Sequence, residues 1–570
     1  MVDIPWDVIE NDNAAAKRLS KKAGVPIVVA QLLLNRGVST AEEVKMFLNP
    51  SLSDMHDPSL LPDMDIGVER LAKAVESGEK ICIHGDYDVD GVTSTALLVR
   101  TLSALNANVE YRLPHRQKEG YGIKTAAVEE LSANGVGVIV TCDCGITACD
   151  TVDRANELGI DVIVTDHHEP GLELPRAIAV INPKRADATY PFSELAGVGV
   201  AFKFAQGLVR KLGLNEESFI SRFIDLAALG TVGDVVPLIG ENRAIVTHGL
   251  KAIPASKKLG FQTMLRSTGL EGKPLTAYYL AFVLGPRINA VGRMHDATAA
   301  LKLFLTRDET EARTLMVEME QHNDDRRVEQ TRILEEAIEQ VESKDLSNLR
   351  VLILSSEKWN SGVVGIVASK IAERYTRPTI MLCRDDASGI GHGSARSIDG
   401  FNLLESLCHC GDLLTGFGGH TQAAGMSIQL DNLDAFEDKI NKYAHEIIPA
   451  EALLPRVTAE IEIDAADITR ELVDIIASME PFGMGNPEPL FISRNLNVTQ
   501  RQRVGDGSHL RLQVQGDGSS PINCIAFGMG DMANNIELGG SIDLCYSIRL
   551  NVYNGNESVQ MIGKAIRSSN

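Results

Sequence analysis

The chain has 570 residues, of which 44% are hydrophobic and 23% charged, and its formal charge is −22. That length exceeds a single hydrophobic core and points to roughly three or four domains. So large an acidic excess excludes general adhesion to nucleic acid through the whole surface; a nucleic-acid enzyme would need a local basic channel and cations to offset the carboxylates at its site.

Residues 1–60 begin MVDIPWDVIENDN, which lacks the basic and apolar regions of a signal peptide. They read as short helices with a proline-rich loop, PSLSDMHDPSLLPDMD, and are expected to form an extension packed on the domain that follows. Between 61 and 305 the pattern alternates: helix 66–77, strand 80–84, helix 92–105, strand 109–113, buried strand 138–141, helix 147–158, buried strand 162–165, then helices near 201–212 and 217–228. Short apolar strands separated by helices predict a parallel, doubly wound sheet. TRDE at 306–309 is a capping-box pattern, and helix formers continue without Gly or Pro to about Val341. A connecting helix over 306–343 would be roughly 50 Å long. Its ends are apolar and its middle, 320–332, is polar, which suits a solvated bridge.

A second α/β unit is predicted over 344–453, with strands 351–354 and 379–382, helix 365–375 and the glycine-rich stretch GFGGHTQAAGMSI at 416–428. Over 454–570 the pattern becomes short strands with turn signals (GMGNPEP, VGDGSH, QGDGSS, YNGNES), an all-β module of sandwich or small-barrel type. No stretch of about eighteen apolar residues is present to cross a membrane. Nine scattered cysteines form no CxxC pair, so a reduced, cytoplasmic protein is expected. Cys142 and Cys144 read as small packing residues.

Three predicted strands end in acidic or imidazole clusters: HGDYDVDG at 84–91, TCDCG at 141–145 and TDHH at 165–168. Ligands of open parallel sheets bind outside the carboxyl ends of the strands, so these clusters point at one crevice. A fourth candidate, Asp234, lies in the otherwise apolar LGTVGDVVPL. Carboxylates and neutral imidazoles suit Mn²⁺ or Mg²⁺. Two such ions about 4 Å apart can polarise a phosphoryl group and activate water. Any one of these residues alone reads as a cap or a satisfied polar group. All four clusters together do not, because burying that much unneutralised charge is too unfavourable.

In order, HGDYDVDG, TCDCGIT, DHH and ALGTVGDVVPL resemble the four phosphoesterase motifs of the DHH superfamily, named for the triplet Asp166-His167-His168. GPRINAVGR (285–293), GFGGHTQAAGMSI and PFGMGNPEPLF (481–491) extend the resemblance to the bacterial RecJ family: DHH domain, DHHA1 domain and an OB-fold. The resemblance runs from about residue 60 to the end. It implies a 5′→3′ exonuclease specific for single-stranded DNA, releasing mononucleotides with two divalent ions, in recombination and repair beside a RecQ-type helicase and a single-strand-binding protein.

Carried over residue by residue, Asp88, Asp90, Asp143, His167 and Asp234 would ligate metal, with Asp143 and Asp234 serving both ions. His84 and Asp86 would ligate or orient a ligand, His168 would sit beside the scissile phosphate, and Asp166 would support the strand end. Arg116 and Tyr121, in LPHRQKEGYG, would hold a phosphate and stack on a base or merely pack; both readings stay open. Arg287, Asn289 and Arg293 would offer donors to phosphate oxygens, and Ser394, Arg396 and His420 would bind substrate near its 5′ end. The family's Trp-His-x-Gly pattern is here WNSG, with Asn360 in the usual His position. Arg494, Arg501, Arg503, His509 and Arg511 make a basic strand face suited to single strands, or a set of ordinary solvated arginines. Two further readings compete with this one. A DHH phosphodiesterase for short oligonucleotides or cyclic dinucleotides fits less well, because such chains lack the β-module. A non-catalytic replication-fork scaffold fits less well, because every candidate ligand is retained. Nothing in the sequence predicts a stable oligomer, and a monomer is expected.

Overall fold

The computed structural model describes residues 5–116, 118–553 and 555–569. They divide into two compact units, one holding 6–289, 297–316 and 457–569, the other 5, 290–296 and 317–456. Among the described residues no helix is long and apolar enough to cross a membrane.

The first unit contains a five-stranded, all-parallel sheet. Its order is Val109–Arg112, Ile81–His84, Val138–Cys142, Asp161–Thr165, Ala179–Ile181. The central strands are buried on both faces, as their unbroken Val/Ile character requires. One face packs with Val128, Leu131 and Val152 of the helices Thr125–Ala133 and Cys149–Glu157. On the other lie helices Met64–Ser77, Val89–Ala104 and Gly197–Lys211. The strand order reverses between Ile81–His84 and Val138–Cys142, and in such sheets the crevice for a ligand opens at that reversal. The strand Ala179–Ile181 has only three residues and carries no periodic signal of its own, so the sequence reading passed over it.

The same unit contains a closed barrel: Phe491–Val504, His509–Gln515, Ile522–Ala526, Asn556–Ser568 and Ser541–Tyr553, which returns to pair with Phe491–Val504. The N-terminal extension departs from its expected packing. Its helices Asn13–Ala23, Ile27–Leu34 and Ala41–Leu48 put Leu19, Leu32, Leu33 and Phe47 into one core with Ile461, Leu472, Phe491 and Leu544 of the barrel region. Residues 52–60 pack on helices of the parallel-sheet domain. The strand Trp6–Val8 pairs in parallel with Val457–Ala459. Two arginines lock this arrangement. Arg36 forks onto Glu460 at 2.6 and 2.8 Å and also reaches Asn486 Oδ1. The buried Arg243 donates to the carbonyls of Phe47 and Glu480 with its guanidinium 4.0 Å from the Phe47 ring centroid. An amphipathic helix pattern shows that a face is buried, not which partner covers it.

The second unit holds a mixed sheet in the order Leu414–Gly419, Ala423–Gln429, Ile390–Arg396, Thr379–Asp385, Leu352–Ser356, with only the last pair parallel. The helix Glu309–Glu342 has 34 residues. Ala312, Leu315, Met316 and Met319 are buried at its start, and Ile333, Ala337 and Val341 at its end pack against Leu352, Leu354 and Val367. Between them the helix is exposed or half-exposed except at Asn323.

Replacing Arg36 by Ala leaves Glu460 largely buried without its partner. The substitution is expected to destabilise the extension–barrel core by about 3 kcal/mol. Urea unfolding followed by Trp6 fluorescence in a Trp359→Phe background checks this; an unchanged midpoint contradicts it.

Candidate metal centre

The first cluster is built by a strand that turns directly into a helix. After Ile81–His84 the chain needs only four residues before helix Val89–Ala104 begins. Asp88 caps that helix, its Oδ1 accepting from the amides of Asp90 and Gly91 at 3.0 and 3.1 Å, which satisfies two of the orphan donors of the first turn. The turn is tight enough that a Cβ on Gly91 would lie 2.5 Å from the Asp86 backbone, so glycine is required there. Asp90 is fully buried and meets a second helix N-terminus: its two oxygens accept from the amides of Gly197 and Val198 at 2.6 and 2.7 Å. The alternating aspartates thus divide into a loop residue, a cap and a residue between two helix starts, where negative charge is favoured.

Asp143 follows strand Val138–Cys142 with φ at +61°, a left-handed conformation that aspartate tolerates better than most residues. Asp166 follows strand Asp161–Thr165, and its carboxylate takes the amides of His167, His168 and Ile146. It acts as the hub of the turn that aims both histidines. Asp234 arrives differently, at the C-terminal end of helix Glu216–Gly233.

These elements converge. His167 Nε2 lies 3.2 Å from Asp143 Oδ1, 3.5 Å from Asp234 Oδ2 and 3.9 Å from Asp90 Oδ2. Asp143–His167–His168, Asp90–His167–Asp234 and Asp86–Asp88–Asp143 each bring three ligand atoms within 4.8 Å of one another. Asp86 Oδ1, Asp143 Oδ1, Asp234 Oδ2 and His167 Nε2 are buried without a hydrogen-bond partner among the described residues. Burial, then mutual repulsion, holds the Asp86, Asp143 and Asp234 carboxyls well above the usual carboxylate range; burial and Asp88 push Asp90 up to about 7. Burial pushes His84 and His167 down to about 3, so both imidazoles are neutral. Unpaired carboxylate oxygens and neutral ring nitrogens pointing into one crevice are the donor set of a hard or borderline divalent cation. His84 lies in none of the three groups, although both its ring nitrogens are buried without partners among the described residues.

His168 is half-exposed. Burial opposes its positive charge, but the Asp166 carboxylate, 2.8 Å from Nδ1, outweighs this and raises its pKa. A carboxylate only accepts, so Nδ1 carries the hydrogen. The Tyr121 hydroxyl donates to the Asp143 carbonyl at 3.0 Å, and its oxygen lies 3.0 Å from the same Nδ1. Tyr121 therefore ties His168 to the backbone of Asp143, a role the sequence reading did not assign.

The remaining candidates spread more widely. The Arg116 guanidinium stands 4.8 Å from the Tyr87 ring centroid, and its charge favours ionised Asp86. On helix Gly285–Met294, Asn289 Oδ1 accepts from the Val89 amide at 3.0 Å, fixing the start of the Asp88-capped helix, while Arg287 donates to the Val283 carbonyl. Arg293 belongs to the second unit and donates to Gly362 O. Ser394 and Arg396 also lie there, bonded to each other at 3.1 Å beside Gly365 in the first turn of helix Val364–Tyr375. His420 is exposed in the tight turn between Leu414–Gly419 and Ala423–Gln429. Asn360 takes the Gly362 amide on Oδ1, so it shapes the turn before that helix. Two features went unread in the sequence: the Gly197–Val198 amides, signalled by the small-residue run AGVGVA, and Asn182 and Lys184 beyond strand Ala179–Ile181. Asn182 holds the His168 carbonyl, and the Lys184 charge acts on Asp234 and His167.

Residues 80–231 match the model of the DHH family, N-terminal domain, residues 348–446 that of the DHHA1 domain and residues 459–565 that of the RecJ OB domain. The chain is 38% identical over 560 residues to the single-stranded-DNA-specific exonuclease RecJ of Bacillus subtilis, covering 98% of this chain and 70% of that one. It is 35% identical to the Escherichia coli enzyme of the same name, covering 95% and 96%. The chain belongs to the RecJ family. Among solved structures, RecJ of Thermus thermophilus in complex with Mn²⁺ superposes with a TM-score of 0.85 at 30% identity, covering all of this chain and 80% of that one. Its Mg²⁺ complex gives 0.78 at 28% identity, covering 99% and 79%. In RecJ terms, the parallel sheet is the DHH domain and the closed barrel is the OB domain.

Tyr121→Phe keeps the ring and removes the hydroxyl that holds His168. A lost hydrogen bond of about 1.4 kcal/mol would lower kcat on single-stranded DNA about tenfold, with KM little changed. Steady-state kinetics on a labelled oligonucleotide measure this. An unchanged kcat would leave the ring, not the hydroxyl, as the functional part.

Proposed function

We propose that this chain hydrolyses single-stranded DNA from the 5′ end, releasing 5′-mononucleotides with two divalent ions, Mn²⁺ or Mg²⁺, in recombination and repair. The observation that carries this reading is the set of unpaired ligand atoms from three strand ends and one helix end, gathered around His167. Asp86, Asp88, Asp90, Asp143, His167 and Asp234 would hold the ions, with His84 behind them. When bound, the ions polarise the scissile phosphate and lower the pKa of the attacking water.

The chain's own residues do the rest. Two helix amides hold the Asp90 carboxylate in place, and the left-handed turn at Asp143 aims its side chain into the crevice. His168 is committed to Asp166 and Tyr121 through Nδ1, which leaves Nε2 to donate to a phosphate oxygen. The Asp166 carboxylate raises the His168 pKa and so favours that proton. No serine or cysteine nucleophile is required.

We assign Arg116, Arg287, Asn289 and Arg293 to the path of the strand, and Ser394, Arg396 and His420 to phosphates near its end. Asn289 acts indirectly, through the Val89 amide. The domain limits proposed are an extension over 1–60, the DHH domain over 61–305, a connecting helix over 306–343, the DHHA1 domain over 344–453 and the OB domain over 454–570. On the barrel, a cleft of about 340 Å³ lined by Thr499, Arg501, Arg511, Gln513 and Asn523 suits a single strand. A RecQ-type helicase and a single-strand-binding protein would supply that strand. We place the chain in the cytoplasm as a monomer.

The test is a single-stranded oligonucleotide labelled at either end, with Mn²⁺ or EDTA, beside Asp143→Ala. Stepwise loss from the 5′ end is expected, abolished by EDTA. Asp143→Ala should slow it at least about a thousandfold, the equivalent of several kcal/mol of lost transition-state stabilisation. Release from the 3′ end overturns the polarity. Cleavage of dinucleotides alone would make the chain a small-substrate phosphodiesterase, and binding without hydrolysis a scaffold.

A further inference from the structure

Asp234, like Asp86 and Asp143, has a carboxylate oxygen buried without a hydrogen-bond partner among the described residues. Asp88, Asp90 and Asp166 each accept at least two backbone amides, whereas Asp234 Oδ2 accepts none among the described residues. Its position depends on the backbone, and the backbone there is strained: the next residue, Val235, is β-branched with φ at +63° and is exposed. Something must hold the chain beyond it.

What holds it is the turn at residues 483–486, in the PFGMGNPEPLF segment at the entry to the OB domain. The Leu238 amide donates to the Met484 carbonyl at 2.7 Å. The fit is close on both sides. A Cβ on Gly483 would lie 2.7 Å from Leu238 Cδ1, and one on Gly485, where φ is +71°, would lie 3.0 Å from Pro237 Cβ. The turn is itself rigid. Gly483 and Asn486 exchange backbone hydrogen bonds at 2.8 and 3.1 Å. The Asn486 side chain, fully buried, donates to the Met479 and Pro481 carbonyls and accepts from Arg36.

We propose that this turn is a positioning element of the metal centre, pinning residues 237–239 so that Asp234 keeps its place opposite His167. Gly483 and Leu238 are then positioning residues that touch neither ion nor substrate. The inference rests on Asp234 being a metal ligand, as proposed above.

The test is Mn²⁺ binding to the full chain by isothermal titration, which needs no turnover. Gly483→Ala crowds Leu238 and is expected to weaken Mn²⁺ binding about tenfold. Leu238→Ala loosens the same contact and is expected to weaken it similarly. The double variant, in which the new methyl takes up part of the vacated space, should recover to within about threefold of the parent, a non-additivity that marks direct coupling. Gly516→Ala introduces a comparable 2.8 Å approach, to Ala465 in the same domain, and should leave Mn²⁺ affinity unchanged. Parental affinity in Gly483→Ala overturns the proposal, as does equal weakening by Gly516→Ala. If Gly483→Ala does not fold, Leu238→Ala alone decides in the same way. Failure of the underlying reading looks different: Asp234→Ala would then bind Mn²⁺ like the parent.

Discussion

Carboxylates concentrated in a buried crevice are the constraint on which the rest of this molecule depends. The carboxyls of Asp86, Asp90, Asp143 and Asp234 are all pushed upward by burial and by one another. Such an arrangement persists only if the surrounding fold supplies positive potential, and it does so largely without side-chain cations. The starts of helices Val89–Ala104 and Gly197–Lys211 both face Asp90, so aligned peptide dipoles carry part of the compensation. The remainder is the part that divalent cations are suited to supply. Glycines at 91 and 197 let those helix starts approach: a Cβ at Gly197 would lie 2.7 Å from Asp143 Cβ.

Much of this was legible in the sequence, for a physical reason. A parallel sheet places each strand's exit at the same edge, so HGDYDVDG, TCDCG and TDHH could be assigned to one crevice from their order alone. The strand pairings then put them side by side. What could not be read were features without a local period. The strand Ala179–Ile181 is too short to show alternation. Asp234 was legible only as a lone carboxylate in an apolar segment and through the family resemblance, because it sits where a helix ends. The Tyr121 hydroxyl bridges residues far apart in sequence, His168 and Asp143, and pairing of that kind leaves no trace in composition.

The extension illustrates the same limit from the side of packing. Its helices are amphipathic, and that property is visible in Asn13–Ala23 and Ala41–Leu48. The partner for the apolar stripe is not encoded in the stripe. It is selected by matching surfaces, by Arg36 with its fixed fork geometry and by the Trp6–Val8 pairing. The OB domain thereby gains an added layer that a free-standing barrel would lack.

That layer has a consequence for how the chain is made. Arg36 and Glu460 stand 424 positions apart, which at ribosomal speed is roughly 20–85 s of synthesis. Throughout that interval Leu19, Leu32, Leu33 and Phe47 lack the surface they finally share with the barrel. The OB domain, made long after the helices of the extension, therefore completes their burial. Until it does, the nascent chain carries an uncovered apolar stripe, the kind of surface that chaperones hold and that aggregation exploits.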